Sequence, residues 1–120
     1  MSVLDYRCWG IKEKQYLKLH SIHLSTKRVI VSTFGRGGGN ISLPFDRVVL
    51  EQDTGLRDKN GKEIYEGDLV RNCDKSHIDS EKVFAVEVTD DAYLLPFRSS
   101  FWGWSPELCE VIGNIHGEEI

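Results

Sequence analysis

Thr54-Gly55-Leu56-Arg57-Asp58-Lys59-Asn60-Gly61-Lys62-Glu63-Ile64-Tyr65-Glu66-Gly67-Asp68-Leu69-Val70 is the stretch on which the fold reading turns. It is dense in turn residues, with Gly55, Gly61 and Gly67 where a chain must reverse and Ile64 and Tyr65 able to pack between them. Asn60-Gly61 predicts a tight turn, because glycine lacks a Cβ and asparagine tolerates the left-handed region. Asp68 is placed to accept backbone hydrogen bonds in the turn that leads into Leu69-Val70-Arg71.

Short runs rich in β-branched and aromatic residues flank this segment, and helical periodicity is hard to find. On the N-terminal side Leu17-Lys18-Leu19-His20 alternates, and Arg28-Val29-Ile30-Val31-Ser32-Thr33-Phe34 reads as a strand ending in the glycine-rich segment 35–40. Ile41-Ser42-Leu43-Pro44-Phe45 and Arg47-Val48-Val49-Leu50 add two more extended runs. On the C-terminal side a polar loop covers 72–81. Val83-Phe84-Ala85-Val86-Glu87-Val88 then alternates so that Phe84, Val86 and Val88 would share a face. Thr89-Asp90-Asp91 predicts a turn into Ala92-Tyr93-Leu94-Leu95-Pro96-Phe97, and 109–115 gives the last strand. The expectation is a mainly β chain forming one domain over 1–120. In it an N-terminal β-strand elaboration (1–53) precedes a small SH3-like barrel portion (54–120).

With 120 residues, 40% hydrophobic and 28% charged, the chain is large enough to bury a core without staples and too apolar for disorder. No run approaches a membrane span, and charges occupy the place of a secretory apolar region, so a cytoplasmic protein without membrane contact is expected. Cys8, Cys73 and Cys109 are odd in number and widely spaced, which predicts reduced structural thiols. The net charge of −4 hides an asymmetry. Residues 1–50 hold eight lysines and arginines against three acids, a balance of +5 that leaves −9 to the rest.

The quoted segment closely resembles the signature of the YopX family, small proteins encoded by bacterial phages and prophages. Tyr6-Arg7-Cys8-Trp9 resembles the family's opening pattern and Glu110-Val111-Ile112-Gly113-Asn114-Ile115-His116 its C-terminal strand. Gly10 departs from the acidic residue usual after the tryptophan, and the customary Asn-Pro-Glu does not follow His116. The resemblance implies a YopX-like fold with an SH3-type barrel, no catalytic residues and no cofactor. It also implies a homo-oligomer.

Several constellations tempt a functional reading. Asp58-Lys59-Asn60-Gly61 is not a calcium loop, since its glycine stands fourth rather than sixth. The 35–40 segment lacks the Gly-Lys-Ser/Thr and following helix of a phosphate loop, although Arg36 at its tip could touch a phosphate. His20 and His23 would share a helix face but point to opposite faces of a regular strand, so no metal site is expected. No nucleophile and base pattern announces an enzyme.

Pro96-Phe97-Arg98-Ser99-Ser100-Phe101-Trp102-Gly103-Trp104-Ser105-Pro106 concentrates aromatics between prolines. Arg98, Phe101, Trp102 and Trp104 are therefore the expected contact residues of a noncatalytic module that binds a phage or host protein, or a second copy. The bland alternative packs them into the core. A second functional class is a nucleic-acid-binding module using Lys12, Lys14, Lys18, Lys27, Arg28 and Arg36. It requires that these charges share one face away from the acidic half, neither scattered nor neutralised by the acids of the C-terminal half.

Overall fold

A computed structural model describes residues 5–32, 38–89, 94–98 and 103–118. Regular structure among them is antiparallel strand, with short 3₁₀ turns at Phe45–Arg47 and Pro106–Leu108. The mainly β expectation is met. The chain divides into two compact units, Met1–Gln52 and Asp53–Ile120.

In the first unit β1 (Tyr6–Gly10) pairs with β2 (Gln15–Leu17) on one side and with the first half of β6 (Val48–Arg57) on the other. A second sheet holds β3 (Leu19–His23), β4 (Arg28–Ser32) and β5 (Asn40–Pro44), with β4 in the middle. The run expected over 17–20 is thus divided at Lys18, where the chain passes from one sheet to the other. Alternation on β4 sends Val29 and Val31 inward, where they meet Cys8, Leu17, Leu43 and Val48. Each fully buried Val or Leu contributes roughly 1.5–3 kcal/mol, so this small cluster stabilises the unit without a staple.

One carboxylate lies inside that unit. Glu51 on β6 is 2% exposed, and its Oε1 accepts hydrogen bonds from Arg7 Nε and Tyr16 Oη, both at 2.7 Å. The Arg7 guanidinium also lies 4.5 Å from the Tyr16 ring centre. A buried charge is tolerable only when paired and hydrogen-bonded in this way.

In the second unit the last part of β6 pairs with β7 (Glu63–Tyr65), through Asp53 opposite Tyr65 and Arg57 opposite Glu63. The extended run expected over 47–50 is thus longer than expected; β6 runs on to Arg57. A sheet of β8 (Asp68–Asn72) between β9 (Val83–Ala85) and β12 (Cys109–Asn114) follows, with a two-stranded ribbon of β10 (Glu87–Val88) and β11 (Leu94–Leu95). The core joins Ile64, Val70, Val86, Leu94, Phe97, Trp104, Cys109 and Val111.

The turn at 58–61 is built by Asp58, which is 5% exposed. Its Oδ1 accepts from the amides of Asn60 and Lys62, and its Oδ2 from Val111 N on β12. Of the expected Asn60-Gly61 pair only Gly61 takes a positive φ, +78°. Gly67 sits at φ +88°, and the buried Asp68 beside it accepts from Tyr65 N at 2.8 Å.

The alternation over 83–88 does not produce one strand. At Val86 the chain leaves β8 and turns to β11, with Val86 N donating to Asp68 O and Gly67 N to Val86 O. Val86 is buried, whereas Phe84 and Val88 are about 40% exposed, so the three do not share a face. The expected turn at 89–91 lies partly outside the described residues.

All three cysteines are free. Burial, then the Glu13 carboxylate, pushes the Cys8 thiol up to about 11, and burial chiefly pushes Cys109 up to about 12. At pH 8 both remain thiols, and the thiolate is the nucleophile. A thiol-alkylating reagent applied to the folded protein at pH 8 should label Cys73, which is half-buried, well before the other two; equal labelling of all three, read by mass spectrometry, would refute this. Because both folded values lie above the ordinary thiol value, the native state holds more protons than the unfolded state at alkaline pH. The associated stability is intact below about pH 9 and falls as pH rises toward 11 and 12.

Candidate functional site

The β3–β4–β5 sheet has two unlike faces. Its strands read Leu-His-Ser-Ile-His, Arg-Val-Ile-Val-Ser and Asn-Ile-Ser-Leu-Pro, and not one carboxylate occurs among them. Val29, Val31 and Leu43 face the core, so Arg28, Ile30 and Ser32 face away, opposite Pro44, Ser42 and Asn40 of β5. On β3, Ser21 lies opposite Ile30 and His23 opposite Arg28.

Both histidines reach this outer face. The register of β3 shifts between Leu19 and Ser21, a bulge that takes His20 out of strict alternation. His20 Nε2 shares a 2.5 Å hydrogen bond with Ser32 Oγ, and His23 Nε2 a 2.8 Å bond with Ser21 Oγ. The expectation of opposite faces is therefore corrected, and the extra residue of the bulge is the reason. Arg28 completes the set: its Nε donates to Ser42 Oγ at 2.6 Å and its Nη2 to Ser42 O at 3.1 Å. One guanidinium and two imidazoles, all exposed, are each oriented by a serine.

Further cations belong to the same unit. Lys18 precedes β3, with its carbonyl accepting from Ser32 N, and Lys27 closes the turn into β4 at φ +55°. Lys12 and Lys14 occupy the β1–β2 hairpin, Lys14 at φ +56°. Lys12, Lys14, Lys18, Lys27 and Arg28 are exposed, and among the described residues none forms an ion pair. Arg36 lies outside the described residues.

In the second unit four cations are paired, while Lys62, Lys75 and Arg98 are exposed and form no ion pair among the described residues. Arg57 pairs with Glu63, Lys59 with Glu110, Arg71 with Glu110 and Glu81, and Lys82 with Asp79. A cleft of about 410 Å³ beside Leu69, Ile112 and Glu118 includes Arg71, whose Nη2 already lies 2.7 Å from Glu110.

Of the aromatic candidates, Trp104 is 5% exposed and belongs to the core of its unit. Its Nε1 donates to Asp79 Oδ2 at 3.2 Å, a bond that, ahead of Lys82, lowers the Asp79 pKa. Phe84 and His77 meet its ring edge-on at 6.1 and 6.5 Å. Arg98 is exposed, with its amide donating to Leu94 O. Phe101 and Trp102 lie outside the described residues.

Among the described residues no three His, Cys, Asp or Glu side chains are grouped to hold a metal ion. No helix among them is long and apolar enough to cross a membrane. The serine-held face escaped the sequence reading because a bulge has no reliable local signature. The signal present was the strict alternation of Arg28, Ile30 and Ser32 with no acid on any of the three strands.

A family model described as YopX protein matches residues 5–119. The crystal structure of protein EF1440 from Enterococcus faecalis is similar, at 22% identity over 93% of this chain and 92% of that one, with a TM-score of 0.61. At that identity the likeness speaks for the fold alone. No curated protein matches the chain.

Proposed function

The chain belongs to the YopX family, and from that premise we propose that it is a noncatalytic nucleic-acid-binding module working through the basic surface of its N-terminal unit. The observation that carries this reading is the set of five exposed cations, Lys12, Lys14, Lys18, Lys27 and Arg28, without a carboxylate partner among the described residues. Unpaired cations release the condensed counterions of a polyanion on contact, which is the main source of affinity for nucleic acid. In the second unit Arg57, Lys59, Arg71 and Lys82 are already engaged, so their contribution to such a contact is small, whereas Lys62, Lys75 and Arg98 are exposed. The buried acids Glu51, Asp58 and Asp68 are tied into hydrogen bonds with neighbouring groups, which suits a binding role better than a catalytic one. The SH3-like barrel reading of the C-terminal unit, a phage or prophage origin, a bacterial cytoplasmic setting and self-association accompany this proposal as what the family resemblance implies.

Titration of a labelled oligonucleotide across a salt series tests it. Affinity should fall with log salt at a slope of roughly −0.7 per phosphate contacted on a single strand or −0.9 on a duplex. Lys18→Glu with Lys27→Glu should flatten the slope by about 1.4 on a single strand. Binding that is absent, or indifferent to salt, would overturn the reading.

A protein partner is the second reading, favoured by apolar exposure in the C-terminal unit. Phe84, 42% exposed, lies edge-on to Trp104, and Ile78, 74% exposed, follows the His77 that meets the same ring. Arg98 is exposed in the same unit. A stoichiometric, nuclease-resistant protein recovered on the tagged chain, lost on Phe84→Asp, would favour it.

A further inference from the structure

We propose that the outer face of β3–β4–β5 is a single-strand-specific site, with Arg28 on a phosphate and the imidazoles of His20 and His23 against unstacked bases. The inference rests on the nucleic-acid reading above and adds where the strand lies and which form of nucleic acid it is.

Spacing comes first. Arg28 and Ser32 are four residues apart on β4, about 13 Å at 3.3 Å per residue. His20, bonded to Ser32, therefore cannot converge with Arg28 on one phosphate or one small anion. The ligand has to repeat along its length. His23, directly opposite Arg28, places an imidazole at the other end of the same track.

Between the two ends stands Ile30, half-buried and flanked across the sheet by Ser21 and Ser42. A pleated face with an apolar centre and imidazoles beside it offers a surface for rings. Single strands splay bases onto such aromatic platforms, whereas a duplex keeps its base faces stacked inside and shows this face only phosphates. A duplex could use Arg28 but would gain nothing from Ile30 and the two histidines.

Pre-orientation adds to the argument. Long and rotatable side chains lose freedom when they bind, and here Ser32, Ser21 and Ser42 already hold His20, His23 and Arg28. The absence of any acid on the three strands removes the repulsion that would otherwise oppose a polyanion.

The experiment compares, by fluorescence anisotropy, labelled 20-nucleotide DNA and RNA strands of one mixed sequence with the matching DNA duplex. The single strand is expected to bind at least tenfold more tightly than the duplex; whichever of DNA or RNA binds more tightly names the polymer. His20→Ala with His23→Ala should weaken single-strand binding about tenfold, leave duplex binding unchanged and leave the salt slope unchanged. Arg28→Ala should weaken both and reduce the single-strand slope by about 0.7. All three positions are exposed, and unchanged melting curves would show that the variants fold. Ser42→Ala, which frees Arg28 without removing it, should weaken binding less than Arg28→Ala. Equal affinity for strand and duplex, or full single-strand affinity in the double-histidine variant, would overturn this inference while the polyanion reading stands. Failure of every oligonucleotide to bind in a salt-dependent way would overturn both.

Discussion

Trp104→Ala should destabilise the C-terminal unit by about 3–5 kcal/mol, the range for truncating a large buried aromatic. The indole is 5% exposed, is part of the core with Ile64, Val70 and Val111, and donates to Asp79. Alanine would leave a void that the surrounding strands can close only in part, and would leave Asp79 Oδ2 without its indole donor. Trp104→Phe should cost less, since it keeps most of the packing and loses the N–H. Phe84→Ala, at a half-exposed position on the same ring, should cost about 1 kcal/mol or less. Urea unfolding followed by circular dichroism separates the three. If Trp104→Ala folds with unchanged stability and loses only a partner, Trp104 is a surface anchor after all.

The second large effect is expected in the N-terminal unit. Glu51→Ala removes the carboxylate that Arg7 and Tyr16 share as acceptor, taking the opposite charge from a largely buried guanidinium. Breaking one side of such a buried pair costs about 3–5 kcal/mol. Arg7→Met combined with Glu51→Leu should recover much of that loss, because two matched apolar side chains leave no charge unpaired. Unfolding midpoints of Arg7→Met, Glu51→Leu and the double variant form the necessary cycle. Additive losses in the double variant would show that the pair does not act as a unit.

Strand content was legible in the residues because alternation and β-branching speak through local geometry. Arg28-Val29-Ile30-Val31-Ser32 became β4 with its valines inward, as its period of two requires. Gly61 and Gly67 were legible as well, since each adopts a conformation that residues with a Cβ rarely take. What could not be read were features decided by distant partners. Val86 looks like the middle of a strand, but its hydrogen bonds go to Asp68 and Gly67. Glu51 looks like a solvated residue in Leu50-Glu51-Gln52 until Arg7 and Tyr16 are placed beside it. The candidate face was hidden for the same reason: the bulge at His20 is set by pairing with β4, and the orientation of Arg28 by Ser42 on β5.

Asp58 also bears on how the protein is made. Its Oδ2 waits for Val111 N, 53 residues further on, and β8 waits for β12 as its second neighbour. The N-terminal unit has all of its strands once residue 52 has been polymerised, while the C-terminal unit lacks one until residue 114. At elongation rates of roughly 5–20 residues per second, those intervening residues take roughly 3–12 s. From the synthesis of β8 until β12 arrives, the nascent chain carries one completed unit and one with an open, apolar strand edge at Leu69-Val70. Chaperone demand during synthesis should therefore concentrate on the second half of the polypeptide.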